Sequence, residues 1–179
     1  MIKNKHIVIV GAGGMGALFG AILSESGLEV SLLDTDSGHV QKIQNDGLFI
    51  EGYGGDRTVK LPAYQTVSGI SKADLIFFQC KSTQTQEAAK LCVPLMKKSS
   101  ICISFQNGLG NEELIGRELG EDRVLGGLTA MAGFKIGPGH IRDFSRAPSF
   151  VGELGGTITD RVEQITNILT KAGLSCTPS

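Results

Sequence analysis

Three observations predict an α/β fold built on a doubly wound, mostly parallel sheet. Uninterrupted apolar runs, β-branched at residues 7–10 and aromatic-rich at 75–78, recur along the chain, and such runs mark strands buried on both faces. Segments with helical spacing separate them, in the order β-α-β-α, then β-α-β-α. A glycine turn, Gly11-x-Gly13-x-x-Gly16, joins the first strand to the first helix.

The elements follow in order. Residues 7–10 form the first strand and 15–24 the first helix. The second strand, 29–33, ends in Asp34, and a short amphipathic helix over 38–45 stops at Asp46-Gly47. Residues 48–51 and 58–61 flank Gly52, Gly54 and Gly55 and read as a β-hairpin, an excursion from the main alternation. The strand at 75–79 leads to a capping box at Thr83 and Gln86. The helix behind it carries Ala88, Leu91, Cys92, Leu95 and Met96, with Pro94 marking a kink or early end. Residues 101–105 are the next strand, and Asn111 caps a helix with Glu112 and Glu113 in its first turn. Strands at 124–131, 140–144 and 149–153 read as an antiparallel extension of the sheet. A last helix has its capping box at Thr157 and Asp160 and buries Val162, Ile165, Ile168 and Leu169. Gly173 ends it, and residues 174–176 begin a final short strand.

At 179 residues the chain reads as one domain over 1–179. A net charge of −1, without a Lys/Arg block, argues against nucleic acid or an anionic membrane as partner. Residues 7–23 are uncharged but hold five glycines, which suits neither a signal peptide nor a membrane span. The location expected is cytoplasmic. Cys80, Cys92, Cys102 and Cys176 show no metal-ligand spacing, the three histidines are scattered, and no metal site is expected. Cys80 stands out only because Lys81 follows it at a strand end.

The glycine turn carries the chemistry. Strand, tight turn and helix N-terminus together suit a dinucleotide pyrophosphate, with Gly11 permitting the turn. Gly13 admits close approach of the phosphates, and Gly16 lets helix and strand pack. Asp34 lies 18 residues beyond Gly16, where a carboxylate can accept from both hydroxyls of the adenosine ribose. A 2′-phosphate there meets like charge, about 4 kcal/mol at about 4 Å and an effective dielectric of about 20. The first cation after Asp34 is Lys42, so NAD is favoured over NADP. Lys81 and Asn107-Gly108 lie at two further strand ends on the same predicted edge, where open parallel sheets bind ligands.

With those residues in view, the chain resembles the N-terminal NAD(P)-binding domain of the ketopantoate reductase family. The motifs, in order, are Gly-Ala-Gly-Gly-Met-Gly at 11–16, Asn-Asp-Gly-Leu at 45–48 and Cys-Lys-Ser-Thr-Gln-Thr at 80–85. Gln-Asn-Gly-Leu-Gly at 106–110 and Gly-Pro-Gly at 137–139 complete them. The resemblance implies a Rossmann-like oxidoreductase domain whose cofactor contacts are Gly11, Ala12, Gly13, Gly14, Met15, Gly16, Asp34, Lys81, Asn107 and Ala132. Lys81 and Asn107 would also contact substrate. The implied reaction is hydride transfer from a reduced nicotinamide to the ketone of a 2-oxo acid, on the pantothenate route. Two departures stand out. The family commonly carries an arginine after the second strand, where this chain has Asp34-Thr35. The family's proton-donating lysine lies in a helical second domain, which this sequence, ending at Ser179, is expected to lack. No catalytic residue is therefore assigned here, and the apolar surface such a domain covers would favour self-association. A nucleotide-sensing regulatory module and another two-domain hydroxy-acid dehydrogenase are the competing readings.

Overall fold

The computed structural model describes residues 5–179. From the N-terminus run β1 (His6–Val10), α1 (Gly14–Glu25), β2 (Glu29–Leu33) and α2 (Ser37–Asp46). Next come β3 (Leu48–Gly52), β4 (Arg57–Val59), β5 (Ala63–Tyr64), β6 (Ala73–Phe78), α3 (Thr85–Cys92), β7 (Met96–Ser104) and α4 (Asn111–Leu119). The chain finishes with β8 (Val124–Thr129), β9 (Ala132–Gly137), β10 (His140–Ser145), β11 (Ser149–Glu153), α5 (Asp160–Lys171) and β12 (Cys176–Pro178).

Eight strands make the main sheet, in the order β12-β11-β8-β7-β6-β1-β2-β5. Its central strands are parallel, and β11 runs antiparallel to β8. The period-2 geometry of a strand explains why β1 has no polar face. Ile7 and Ile9 enter the core shared with α1, α2 and α5, while Val8 and Val10 enter the core shared with α3 and α4. In β6, Leu75 and Phe77 take the first side, and Ile76 and Phe78 the second. Phe19 of α1 meets the Phe105 ring edge-on at 5.1 Å, and Phe77 lies 5.7 Å from Phe105. That aromatic cluster fixes α1 against β6 and the end of β7.

The hairpin forms as expected, with Leu48 opposite Val59. It belongs, however, to a separate four-stranded sheet, β4-β3-β10-β9. The strand expected at 140–144 therefore leaves the main sheet: β10 pairs in parallel with β3 and antiparallel with β9. The segment expected as one strand over 124–131 ends at Thr129, and β9 begins at Ala132. Helix α1 touches strands of both sheets. This explains why every residue from Gly16 to Leu23 is buried, although the helix is only weakly amphipathic.

Three helix starts differ from expectation. Thr83 lies in a 3₁₀ turn, and α3 begins at Thr85 without a side-chain cap. The Thr85 hydroxyl is instead buried and donates to Asn111 Oδ1. Gly110, at φ +89°, precedes α4; Asn111 is its first residue and donates to the carbonyls of Asn107 and Gly108. Thr159, not Thr157, precedes α5, and its hydroxyl donates to Glu153 rather than to the helix. At Thr85 and Thr159 a side-chain acceptor elsewhere in the fold competes successfully with the local backbone, whereas Asn111 bonds the backbone just before its helix. Helix α3 also stops at Cys92, and the Val93–Leu95 turn containing Pro94 passes into β7 at Met96.

Candidate functional site

The four features read from the sequence do lie along one edge. Strands β7, β6, β1 and β2 are consecutive and parallel, so residues 106–108, Cys80-Lys81, the glycine turn and Asp34 all follow carboxyl ends. The chain passes from β1 to β2 and later returns to the other side of β1 as β6. That reversal opens a crevice. A cleft of about 500 Å³ occupies it, lined by Gly11 and Gly13 after β1, Asp34 and Thr35 after β2, and Gln79, Cys80 and Lys81 after β6. Gln65–Val67 and, on the α3 side, Thr83, Gln84, Glu87, Ala88 and Leu91 complete the walls.

The glycines divide by what a side chain at each would meet. Gly11 has φ +92°, and a Cβ there would lie 2.5 Å from Cys80 N. A Cβ on Gly16 would lie 1.9 Å from the Gly11 carbonyl, so only glycine lets α1 approach the end of β1. At Gly14 a Cβ would strike Gly133 O at 2.5 Å, which makes this glycine a contact with the second sheet. A Cβ on Gly13 meets nothing within 4 Å. Ala12 is buried below the turn; Met15 packs against the core.

Asp34 braces the turn. Its Oδ2 accepts from Ala12 N–H at 2.7 Å and its Oδ1 from Asp36 N–H at 2.9 Å, leaving a second lone pair on each oxygen. The Ala12 carbonyl accepts from His39 Nε2 at 2.8 Å, while His39 Nδ1 accepts from Gly139 N–H at 2.9 Å. Lys42, the first cation after Asp34 in sequence, pairs with Asp46 and not with this group. Lys135, on β9, comes closer: its Nζ is 2.7 Å from Asp36 Oδ2. That hydrogen bond, with the His39 N–H, lowers the Asp36 pKa to about 2.

Gln106 bridges two strand ends, donating to Cys80 O at 2.7 Å and to Thr85 Oγ1 at 2.8 Å. Lys81, held on that turn, is exposed, lines the cleft and makes no ion pair among the described residues. Burial pushes the Cys80 thiol pKa up, and raises Cys92 and Cys102 to about 12; none carries the depressed pKa of a reactive thiolate. Asn107 and Ala132 are exposed and do not line the cleft.

Two observations test whether a dinucleotide fits. The space beside Gly13 is open although a helix N-terminus faces it. Gln79, in the cleft wall, has a buried Nε2 with no partner, and an orphaned buried donor costs about 1–3 kcal/mol unless an acceptor arrives. Open backbone donors and an unpartnered amide suit a phosphate-bearing ligand, so the residues present fit the group. Sequence reasoning missed His39, Lys135, Gln79 and the bridging of Gln106. Of these only Gln106 left a signal, as part of the Gln-Asn-Gly motif.

The fold and this edge define a Rossmann-type doubly wound domain. Comparison with known proteins narrows the class: residues 7–156 match the family described as ketopantoate reductase PanE/ApbA. The chain belongs to that family. It is 33% identical to a 2-dehydropantoate 2-reductase of Nostoc sp., over 97% of this chain and 56% of that relative. Among solved structures, D-mandelate dehydrogenase with NADH and anilino(oxo)acetate superposes with a TM-score of 0.91 at 29% identity, over 97% of this chain and 56% of that one. A 2-dehydropantoate 2-reductase from Geobacter metallireducens gives 0.89 at 28% identity, covering 97% and 57%. The chain thus spans a little over half the length of the relatives it matches.

Proposed function

We propose that this chain is the NAD(P)H-binding part of a 2-oxo acid reductase, of the kind that converts 2-dehydropantoate to pantoate. The observation that carries the reading is the single cleft holding an open Gly13, Asp34 and Lys81 at the reversal of strand order. In this reading residues 1–179 act as one dinucleotide-binding domain, with a small 2-oxo acid as partner and neither nucleic acid nor membrane. Four free cysteines suit the reducing cytoplasm.

The bound cofactor supplies a hydride to the substrate ketone. The chain's own residues bind and orient. Backbone N–H groups at Gly13, Gly14 and Met15 receive the pyrophosphate at the start of α1, where aligned peptide dipoles favour an anion. Gly11 and Gly16 keep the turn tight, and Ala12 anchors it from below. Lys81 offers an ammonium to cofactor phosphate or substrate carboxylate. Asn107 and Ala132 receive the nicotinamide end and, at Asn107, the substrate. No group in this chain is assigned to protonate the product alkoxide.

NADH is preferred over NADPH. Asp34 keeps free lone pairs for ribose hydroxyls, and Lys135 is already neutralised by Asp36. The test is titration of NADH and NADPH into the wild-type chain and Asp34→Ala. Tighter NADH binding by the wild type and a narrower gap in the variant are expected; equal wild-type affinities remove the Asp34 argument. A second substrate assignment, an aromatic 2-oxo acid, has support from the likeness to D-mandelate dehydrogenase. Competition binding of ketopantoate against phenylglyoxylate, with NADH present, separates the two.

A further inference from the structure

The Ala12 peptide groups are held from two sides. Its N–H donates to Asp34, and its carbonyl accepts from His39, a side chain with 0% exposure. The ring can have only one tautomer in this setting. Because Nδ1 accepts from Gly139 N–H, the proton sits on Nε2 and is donated to Ala12 O. Burial favours that neutral ring by lowering the His39 pKa.

The consequence lies in the next peptide plane. The Ala12 carbonyl and the Gly13 N–H share one trans peptide, so they point in opposite directions. A carbonyl drawn inward to His39 turns the Gly13 N–H outward, beside the cleft that Gly13 lines and the open space at its Cα. No protein acceptor takes that N–H among the described residues. The far end of the brace is firm. Gly139 sits in the two-residue turn between β9 and β10, and its carbonyl accepts from Phe49 N–H of β3 at 2.8 Å.

We infer that His39 is a positioning residue: it ties the glycine turn to the second sheet and so pre-sets the Gly13 N–H as an anion donor. The inference rests on the dinucleotide-binding reading above and extends it to a residue outside the cleft. It assigns the second sheet a function in cofactor binding, as the support against which the phosphate turn is held. A turn without that support must order its donor when the anion arrives, which costs affinity.

Two substitutions at one position test this. In His39→Gln the amide reaches as far as Nε2 and can donate to Ala12 O. In His39→Asn the carbonyl stands in for Nδ1 and can accept from Gly139 N–H, but the Ala12 bond is lost. Each variant keeps one bond, so both should melt at similarly lowered temperatures. ADP-ribose, measured by calorimetric titration, should bind His39→Gln within about threefold of wild type and His39→Asn about tenfold more weakly. In ligand-free protein the Gly13 amide NMR resonance should move in His39→Asn and stay in His39→Gln. Affinities falling in parallel with melting temperature, or an unmoved Gly13 amide in His39→Asn, overturn the positioning role. Absence of ADP-ribose binding by the wild-type chain overturns the functional reading instead, while the ligand-free amide shift still reports on His39.

Discussion

The two ends of the candidate site are built to different standards. At the glycine turn, Gly11 abuts Cys80, Gly16 abuts Gly11, and Asp34 and His39 hold the Ala12 peptide from opposite sides. At the other end, Asn107 and Ala132 are exposed and lie outside the cleft. A turn that must present backbone donors has to be rigid before its ligand arrives. The glycine turn is held by both sheets, whereas the Asn107 end of the same sheet edge is not.

The largest effects should separate scaffold glycine from ligand glycine within the enclosed end. Gly16→Ala puts a Cβ 1.9 Å from the Gly11 carbonyl, a clash with backbone that cannot rotate away. We expect at least about 3 kcal/mol of destabilisation in urea unfolding. Gly13→Ala adds a Cβ into open space and should leave the unfolding curve within about 0.5 kcal/mol of wild type. That Cβ stands in the cradle, so ADP-ribose affinity should fall about tenfold or more. Loss of stability at Gly13, or retained affinity, would break the distinction.

A smaller effect should divide the two ends from each other. Lys81→Met removes an exposed cation from the cleft wall and should weaken both ADP-ribose and NADH by about tenfold, the size of one charge-assisted hydrogen bond. The loss should shrink as salt rises, because the lysine is exposed. Asn107→Ala should leave ADP-ribose binding unchanged and weaken only NADH, by a few-fold. If Asn107→Ala weakened both ligands alike, the open end would not be the nicotinamide end.

The same contrast governs what could be read from sequence. Central strands β1 and β6 are buried on both sides, so their apolar runs need no partner to be recognised. The glycine turn and Asp34 are local to β1, α1 and β2, and their spacing alone brings them together. The second sheet is stitched from distant segments: His140 pairs with Phe49, and β9 alternates exposed with half-buried residues between glycines. In β9 it is Phe134 and Ile136 that face outward and Lys135 that is half-buried, the reverse of the alternation by which a half-buried strand is read. The bonds it makes to the site, Lys135 to Asp36 and Gly139 to His39, cross 99 and 100 residues, and no periodicity encodes a contact of that span. The missed helix caps have a similar origin. Thr85 and Thr159 direct their hydroxyls to Asn111 and Glu153, partners that only the folded chain supplies.

The smallest expected effect tests whether that long-range brace carries a proton-linked load. His39 is neutral when folded, with its pKa held below the ordinary 6.5 mainly by burial and also by Lys135, while the Ala12 bond, Asp34 and Asp36 act in the opposite direction. The unfolded chain therefore binds a proton at this position before the folded one does as pH falls. Stability from this group is complete above about pH 6.5, declines below it, and levels off beneath the folded pKa. The slope cannot exceed about 1.4 kcal/mol per pH unit for one proton. Asp36 does not interfere, because it titrates between 3.8 unfolded and about 2 folded. Subtracting the urea-unfolding profile of His39→Gln from that of wild type between pH 5 and 7.5 isolates the contribution. A difference that grows as pH rises toward 6.5 and then stays flat supports a buried neutral ring. A flat difference throughout means that the folded ring takes up its proton as readily as the unfolded one. The Gly139 N–H would then face a second donor, and the brace from the second sheet to the glycine turn would not survive mild acid.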